Sequence, residues 1–294
     1  MIRHEVPASL REENLQRYLK RAWPLLPGHV LRELMKKKDV RINGIKCGRD
    51  DAVHGGDLLE IYADSRHFEV PAEVVYDDGQ LMAAVKPQGL PSLPDADGVG
   101  ADTMEVRMRR IHPEARLCHR LDAATGGVLL AALDETTYEQ AFEAFREHGI
   151  RKTYRALLCA RPARDEMTLK AYLTKDAKRA TVRVTDKPAT GAREIVTRLH
   201  LRGAVGDCWD AELEPVTGRT HQLRAHRAHI GCPILGDDKS GDRELNRKLG
   251  FMNRLCLWCE RMEIPAGSPL KSHVGCVFQA NCPDWMEKRL RKNC

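Results

Sequence analysis

The sequence predicts an α+β protein with a small basic N-terminal unit and a larger second domain. Its 294 residues exceed the usual single domain of roughly 100–200 residues. Hydrophobic residues make up 42% and charged residues 31%, a balance that excludes a disordered or fibrous chain. Strand-like runs follow one another through residues 151–215 without a helix between each pair, so a mixed, largely antiparallel sheet fits better than βαβ winding.

In the N-terminal unit, the spacing of apolar residues changes partway along from helical to strand-like. Apolar residues at helical spacing predict two short helices, over 12–23 and 29–38, with proline and glycine between them. The pair Asn43-Gly44 favours a hairpin, because it tolerates the positive φ angles of a type I′ turn. A third strand is expected at 58–62.

Positive charge is concentrated in residues 14–49. Ten Lys or Arg and two acidic residues give this segment a charge of +8, more than the +6 of the whole chain. Such a patch is typical of a surface that binds phosphates, and the alternative is a solvated helix face. The cations expected to make these contacts are Arg17, Lys20, Arg32, Lys36, Lys37, Lys38 and Arg41.

The remaining chain divides into a polar linker and a second domain. We expect the N-terminal unit at 12–62, the linker at 63–72 and the second domain at 73–294. Within the second domain, strands are predicted at 81–85, 128–133, 154–158, 192–201, 208–213, 255–257 and 273–278, and helices near 103–111, 135–147, 220–230 and 284–292.

Three segments of the second domain carry candidate chemistry. Asp122 lies before a glycine-containing turn and an apolar strand, where a backbone can approach a ligand, although a turn-capping Asp is the simpler interpretation. Tyr154 has cations around it, which suits a stacked nucleotide, but Tyr is also ordinary core material. Gly218 precedes a predicted helix whose amides could take an anion, and His221 and Arg224 share one face of that helix.

A metal site is not expected. His221 and His226 are about 140° apart on a helix of 3.6 residues per turn, so they cannot converge on one ion. Cys256 and Cys259 have CxxC spacing, but in a strand they would point to opposite faces. Buried structural thiols are the better interpretation for these cysteines.

The sequence also bears on the compartment. Its longest apolar run has six residues, far fewer than the roughly 18 that span a bilayer, so no membrane association is expected. The N-terminus lacks the apolar segment of a secretory signal, which predicts a cytoplasmic protein. Its ten cysteines are then expected as free thiols.

Together, these motifs resemble those of two known families. The helix–helix–hairpin–strand pattern "RYLKRAW…LRELMKKKDVRINGIKCGRDD…GGDLLEIY" resembles the S-four RNA-binding domain, in which the two-helix face carries RNA. Residues 72–294 resemble the RluA-type pseudouridine synthases in "VVYDDGQLMAAVKPQGLPSLP", "HRLDAATGGVLLAAL", "RKTYRALL", "PVTGRTHQLRAHRAHIGCPILGD" and "RLCLWC". The resemblance implies that family's catalytic fold for the second domain.

The resemblance also implies residue roles. Asp122 would be the nucleophile, attacking the sugar or the uracil ring; Tyr154 would stack on the base, and Arg224 would pair with Asp122. The implied substrate-binding residues are Arg120, Leu257, Arg219, His221, Gln222 and Lys86. No cofactor is implied, the expected state is a monomer, and the expected partner is RNA, with large-subunit ribosomal RNA favoured and transfer RNA open.

Two other classes of protein remain as alternatives. A noncatalytic RNA-binding or ribosome-assembly factor would use the same basic unit and leave Asp122 idle. A metal-dependent hydrolase would need the histidines and cysteines. Isomerisation of uridine by the purified chain excludes the first alternative, and metal analysis tests the second.

Overall fold

The computed structural model of the protein describes residues 1–176, 181–252 and 254–290. Within these ranges the chain forms an N-terminal unit around a four-stranded sheet and a larger unit around an eleven-stranded sheet. Each unit has a separate hydrophobic core. Helices pack beside largely antiparallel sheets, and the predicted α+β class is confirmed.

The N-terminal unit begins earlier than the sequence predicts. Its elements are β1 (Ile2–Glu5), β2 (Glu12–Asn14), α1 (Leu15–Ala22), α2 (Gly28–Lys37), β3 (Val40–Ile42), β4 (Ile45–Cys47), β5 (Ala52–His54) and β6 (Leu58–Ile61). Strand β1 pairs with β6, with Ile2 opposite Ile61. The unit therefore starts near residue 2, and the predicted start at residue 12 is wrong.

The first helix is shorter than predicted, and the hairpin is confirmed. Residues 12–14 pair as β2 with β5, and α1 starts only after Asn14, whose side chain caps it by accepting from the Arg17 amide at 3.2 Å. The hairpin between β3 and β4 turns at Asn43 and Gly44, with φ of 51° and 83°. These positive angles fit the predicted type I′ turn.

The predicted linker is partly folded onto the N-terminal core. Residues Ser65–His67 form a short 3₁₀ helix. The next residue, Phe68, is buried and meets the Trp23 ring edge-on, with 5.3 Å between the ring centroids. An aromatic side chain within a polar segment is the signal that the linker prediction passed over.

The larger unit is built on one broad sheet. Its elements are β7 (Glu73–Asp77), β8 (Leu81–Lys86), α3 (Met104–Arg109), β9 (Arg116–Leu117), β10 (Gly126–Ala132), α4 (Glu135–Arg146), β11 (Arg151–Leu158), β12 (Glu166–Asp176), β13 (Thr181–Thr185), β14 (Arg193–Val205), β15 (Cys208–Pro215), α5 (Gln222–His229), α6 (Arg243–Lys248), β16 (Leu257–Glu263), β17 (Val277–Gln279) and α7 (Asp284–Leu290). The main path is β13-β12-β14-β15-β11-β16-β10-β8-β7. Among the described strand pairs, β10 with β16 is parallel and the others are antiparallel.

Several strands of this unit begin or end at other residues than the sequence predicts. The strand expected at 255–257 starts at Leu257 as β16. The strand expected at 273–278 is divided into a 3₁₀ helix, Lys271–His273, and β17. Positions 291 and 292 of the predicted last helix lie outside the described residues.

The described helices are short. The longest, α4, has 12 residues. None of the helices in the described ranges combines the length with the apolar character that a bilayer crossing needs.

Two glycines let β10 and β16 lie unusually close together. Gly126 is opposite Trp258 and Gly127 is opposite Cys259. A Cβ at Gly127 would lie 2.1 Å from the Cys259 carbonyl oxygen, and Gly127 has a φ of +115°. This close approach brings the turn before β10 against Leu257 on β16.

We predict that Gly127→Ala destabilises the fold by about 3 kcal/mol or more, because the added methyl overlaps backbone that cannot move aside. Gly191→Ala is the matched control, because Gly191 also has a positive φ, +75°, but its added Cβ meets nothing within 4 Å. Urea unfolding of both variants measures the difference, and equal losses of stability would contradict the close packing of β10 on β16.

Candidate active site

A cavity of about 440 Å³ opens beside the sheet of the larger unit. Five parts of the chain form its walls: the turn before β10, the end of α4, strand β11, the segment that leads into α5, and the start of β16. The predicted site residues that line it are Arg120, Asp122, Tyr154, Arg219, His221, Gln222, Arg224 and Leu257. Residues more than 130 positions apart in sequence therefore meet at one site.

Asp122 lies on a tight turn whose backbone is held from both sides. The Thr125 amide donates to the Asp122 carbonyl at 2.9 Å, which closes the turn. On the preceding residue, Leu121, both backbone groups bond to the buried Ser92 hydroxyl. On the following residue, Ala123, the carbonyl accepts from the Gly89 amide at 2.7 Å. These bonds fix where the carboxylate points.

The Asp122 carboxylate is bonded to His221. Its Oδ2 accepts from Nδ1 of His221 at 2.6 Å. His221 has a left-handed backbone, φ 54° and ψ 20°, and directly precedes α5. Histidine is one of the few residue types enriched in this region, and such a conformation usually marks a functional constraint. The sharp turn aims the imidazole across the cavity at Asp122.

The surroundings keep Asp122 ionised. Burial by itself raises the pKa of this carboxyl group, because it penalises the charged form. The hydrogen bond and charge of His221 act in the opposite direction, and so do the charges of Arg224 and Arg120. Together they hold the pKa of Asp122 below its usual value, so a carboxylate is present at neutral pH.

The predicted ion pair of Arg224 with Asp122 is wrong. Arg224 Nε and Nη2 bind the buried Asp237 at 3.0 and 2.5 Å, and Nη2 also reaches Asp238 at 2.9 Å. Asp237 lies on the loop that follows α5 and competes for the same guanidinium, which the sequence does not reveal. Arg224 acts on Asp122 only through its charge, and His221 makes the direct contact.

Tyr154 and Leu257 form the apolar side of the cavity. Tyr154 lies opposite Cys259 in the β11–β16 pair, and Leu257 lies on the same strand as Cys259. Burial, and then the nearby Cys259, raise the pKa of Tyr154 well above its usual value. The phenol therefore stays protonated and does not act as a base at neutral pH.

Lys86, a predicted substrate-binding residue, supports the site from behind. Lys86 is fully buried outside the cavity lining, and its Nζ donates to the carbonyls of Pro87, Leu90 and Ala123 at 3.1, 2.6 and 3.2 Å. Burial lowers the pKa of Lys86 to about 7. Its amino group is used within the protein, where it holds the Asp122 turn, and it does not line the cavity.

Gln222 also has its polar atoms occupied. Its Oε1 accepts from the Thr217 hydroxyl at 2.8 Å and from the Arg219 amide at 3.1 Å, and its Nε2 donates to the Val196 carbonyl at 3.0 Å. Gln222 thus shapes the turn that carries His221, contrary to the substrate contact that the sequence predicted.

Several lining residues lie outside the predicted substrate-binding set, above all Lys152, one of the cations that the sequence places around Tyr154. It lies two positions before Tyr154 on β11, and this spacing places both side chains on one face of a strand. Its Nζ lies 5.5 Å from the centre of the Phe145 ring, and Phe145 stacks on His119 at 4.4 Å. The position of Lys152, two residues before Tyr154 on the same strand, is the signal that could have placed it among the lining residues.

The cavity is strongly electropositive. Among the described residues, Asp122 is the one carboxylate that lines it. Arg120, Lys152 and Arg219 line it too, and within the described ranges none of these three cations forms an ion pair. Such a surplus of cations around one carboxylate suits a ligand that carries phosphates.

The predicted phosphate-binding cations lie on the other unit, outside the cavity lining. Arg17 and Lys20 are exposed on α1, and Arg32, Lys36 and Lys37 are exposed on α2, with Lys38 at the end of that helix. Arg41 is half-buried and lies 5.1 Å from the centre of the Tyr62 ring. These side chains form a basic surface that is separate from the cavity.

A sequence profile and individual relatives both match this chain to the same family. The sequence profile described as RNA pseudouridylate synthase matches residues 80–229. Ribosomal large subunit pseudouridine synthase C of Rickettsia prowazekii is 30% identical over 254 residues, covering 79% of this chain and 83% of that protein. The protein of the same name from Escherichia coli is 28% identical over 254 residues, covering 81% and 79%.

A solved structure agrees with these sequence matches. Human RNA Pseudouridylate Synthase Domain Containing 4 superposes with a TM-score of 0.60 at 25% identity, over 74% of this chain and 93% of that one. The predicted pseudouridine synthase fold is therefore confirmed for the larger unit. The profile match spans just over half of the 294 residues and contains Asp122, Tyr154 and Arg224. The chain belongs to the RNA pseudouridylate synthase family.

Proposed function

We propose that this protein converts specific uridines of large-subunit ribosomal RNA into pseudouridine, with Asp122 as the nucleophile. The observation that carries the proposal is an ionised carboxylate, held by His221, in a cavity whose lining also contains the Tyr154 ring and several cations that are unpaired within the described ranges. The names of the Rickettsia and Escherichia relatives support ribosomal RNA as the substrate class. Transfer RNA is the alternative substrate.

The reaction is an isomerisation and needs no added redox partner. The N-glycosidic bond of a uridine breaks, the uracil turns within the cavity, and its C5 bonds to the sugar carbon. C5 loses its proton and N1 gains one, so the composition is unchanged. An ionised carboxylate supplies the covalent step, whether it attacks the sugar or the uracil ring.

The lining residues suit a flipped nucleotide. Tyr154 and Leu257 provide an apolar surface for the uracil, because an extruded base is commonly read by stacking on aromatic and apolar side chains. Arg120, Lys152 and Arg219 would hold the adjoining phosphates. Arg224, held by Asp237, acts on Asp122 through its charge.

The N-terminal unit would act as an S-four-like RNA-binding domain. Its exposed lysines and arginines support this role, as does the helix–helix–hairpin–strand order. We place this domain at residues 2–68 and the catalytic domain from residue 73 onward. We propose that the protein acts as a monomer, and a ribosomal RNA substrate favours work in the cytoplasm.

The first test is activity. The purified chain, incubated with unmodified transcripts of large-subunit ribosomal RNA, should form pseudouridine at discrete positions when the products are mapped. Asp122→Asn keeps the shape of the side chain but removes the nucleophile, so turnover should vanish while RNA affinity stays within about tenfold.

Measurable turnover by a clean Asp122→Asn preparation would contradict the assignment of the nucleophile. Binding without any product from the wild-type chain, on ribosomal and transfer RNA alike, would instead favour a noncatalytic RNA-binding factor.

The second prediction concerns pH. Because the pKa of Asp122 is depressed, the active carboxylate persists above that pKa and is lost as pH falls through it. His221→Ala removes the bond and should move the acidic limb of kcat/KM to higher pH by about 1–3 units. His221→Asn is the control, because Asn tolerates the left-handed backbone and still donates a hydrogen bond. If the acidic limb of kcat/KM does not move in His221→Ala, another group keeps Asp122 charged.

The third prediction concerns salt. Replacing Lys36, Lys37 and Lys38 with Gln should lower the log–log salt slope of RNA binding by roughly 0.7 for each single-strand phosphate that these lysines neutralise. The control replaces three exposed lysines of the larger unit, Lys187, Lys248 and Lys271. Equal slopes for both triple variants would exclude the N-terminal unit from RNA binding.

A further inference from the structure

Residues 86–102 form a segment, called here the strap, that touches both units of the protein. The strap runs from the end of β8 to the start of α3. It belongs to the larger unit by sequence, but its second half lies against the N-terminal unit. Its contacts connect the N-terminal unit to the turn that carries Asp122.

At its first end the strap holds both neighbours of Asp122. The Ser92 hydroxyl donates to the Leu121 carbonyl at 2.8 Å and accepts from the Leu121 amide at 3.1 Å. The Ala123 carbonyl accepts from the Gly89 amide at 2.7 Å and from Lys86 Nζ at 3.2 Å. The position of the nucleophile is therefore set by strap atoms on both sides.

At its second end the strap docks on the N-terminal unit through Arg21. Nε of this arginine binds Oδ2 of Asp95 at 2.5 Å, and Nη2 binds the carboxylate of Asp97. Nη1 binds Glu13, within the N-terminal unit, at 2.9 Å. The Asp102 amide also donates to the Ala22 carbonyl at 2.9 Å. Arg21, one of the basic residues of the N-terminal segment, is thus used for docking.

The docked half of the strap is internally braced. Asp95 Oδ1 accepts from the amides of Asp97 and Val99, both at 3.0 Å. Val99 is buried in the N-terminal hydrophobic core. Asp102 forms a buried bidentate pair with Arg107 of α3, at 2.7 and 2.8 Å. A segment held at so many points has little freedom to absorb a shift at one end.

We propose that Arg21 and Ser92 are positioning residues, and that docking of the N-terminal unit on the strap holds Asp122 in place. The N-terminal unit is then part of the scaffold of the active site as well as a basic surface. Loss of docking would loosen the Asp122 turn even when no RNA is bound. The proposal rests on the proposed function only for its kinetic test.

Hydrogen exchange in the full-length, RNA-free chain tests the coupling without any assay of activity. The reporters are the amides of Leu121 and Thr125, whose acceptors lie in the strap and in the turn. Arg21→Met should raise their exchange rates by about fivefold to thirtyfold. Amides of β10 should exchange as in the wild type, and Arg21→Lys, which keeps the charge, should restore part of the protection.

Arg66→Met is the matched control, because Arg66 is exposed and pairs only with Asp64 among the described residues. It should leave both reporter amides unchanged. Reporter rates in Arg21→Met that equal those in Arg66→Met would overturn the proposal. So would a uniform rise across β10, since that pattern shows general destabilisation and not coupling.

The kinetic test separates positioning from RNA anchoring. On the RNA whose uridine is mapped as a substrate, Arg21→Met and Ser92→Ala should each lower the single-turnover rate at saturating RNA by about tenfold, with little change in affinity. The fold-loss of single-turnover rate in the double variant should be smaller than the product of the two single-variant losses, because both residues act through one strap. A pure loss of affinity would contradict positioning. If no RNA is a substrate, the proposed function fails while the exchange result still stands.

Discussion

In the proposed function, the hydrogen bond between Asp122 and His221 is the contact on which the rest of the site depends. A carboxylate in a partly closed cavity is driven towards its neutral form by desolvation, and a neutral acid is a poor nucleophile. At 2.6 Å, His221 opposes that tendency directly, and the charges of Arg224 and Arg120 add to it. The rest of the site positions these groups, and Tyr154 and Leu257 form the apolar wall beside them.

The fold achieves this placement through backbone features more than through side-chain contacts. Gly126 and Gly127 allow β10 to approach β16, which brings the Asp122 turn beside Leu257. On the opposite wall, the left-handed backbone of His221 ends a turn that Gln222 secures with hydrogen bonds to Thr217 and Arg219. Hydrogen-bonded turns therefore hold both halves of the Asp122–His221 pair, on segments about 100 residues apart.

Much of this arrangement could be predicted from the sequence, for identifiable reasons. The apolar run of β10 indicated its strand clearly, and the order of the motifs around Asp122, Tyr154 and Arg224 indicated one catalytic domain. What failed needed knowledge of three-dimensional neighbours. Arg224 pairs with Asp237 because the loop after α5 folds back. Lys86 is turned inward because three carbonyls surround its ammonium.

The most direct test of the central claim is the pKa of Asp122 itself, measured by ¹³C NMR titration of its side-chain carboxyl in the RNA-free protein. The ordinary value for an aspartate is about 3.9. We expect Asp122 to titrate below that value despite its burial, because His221, Arg224 and Arg120 outweigh desolvation. A pKa at or above the ordinary value would contradict the account, since burial would then dominate and the contact with His221 would not be what keeps the nucleophile charged.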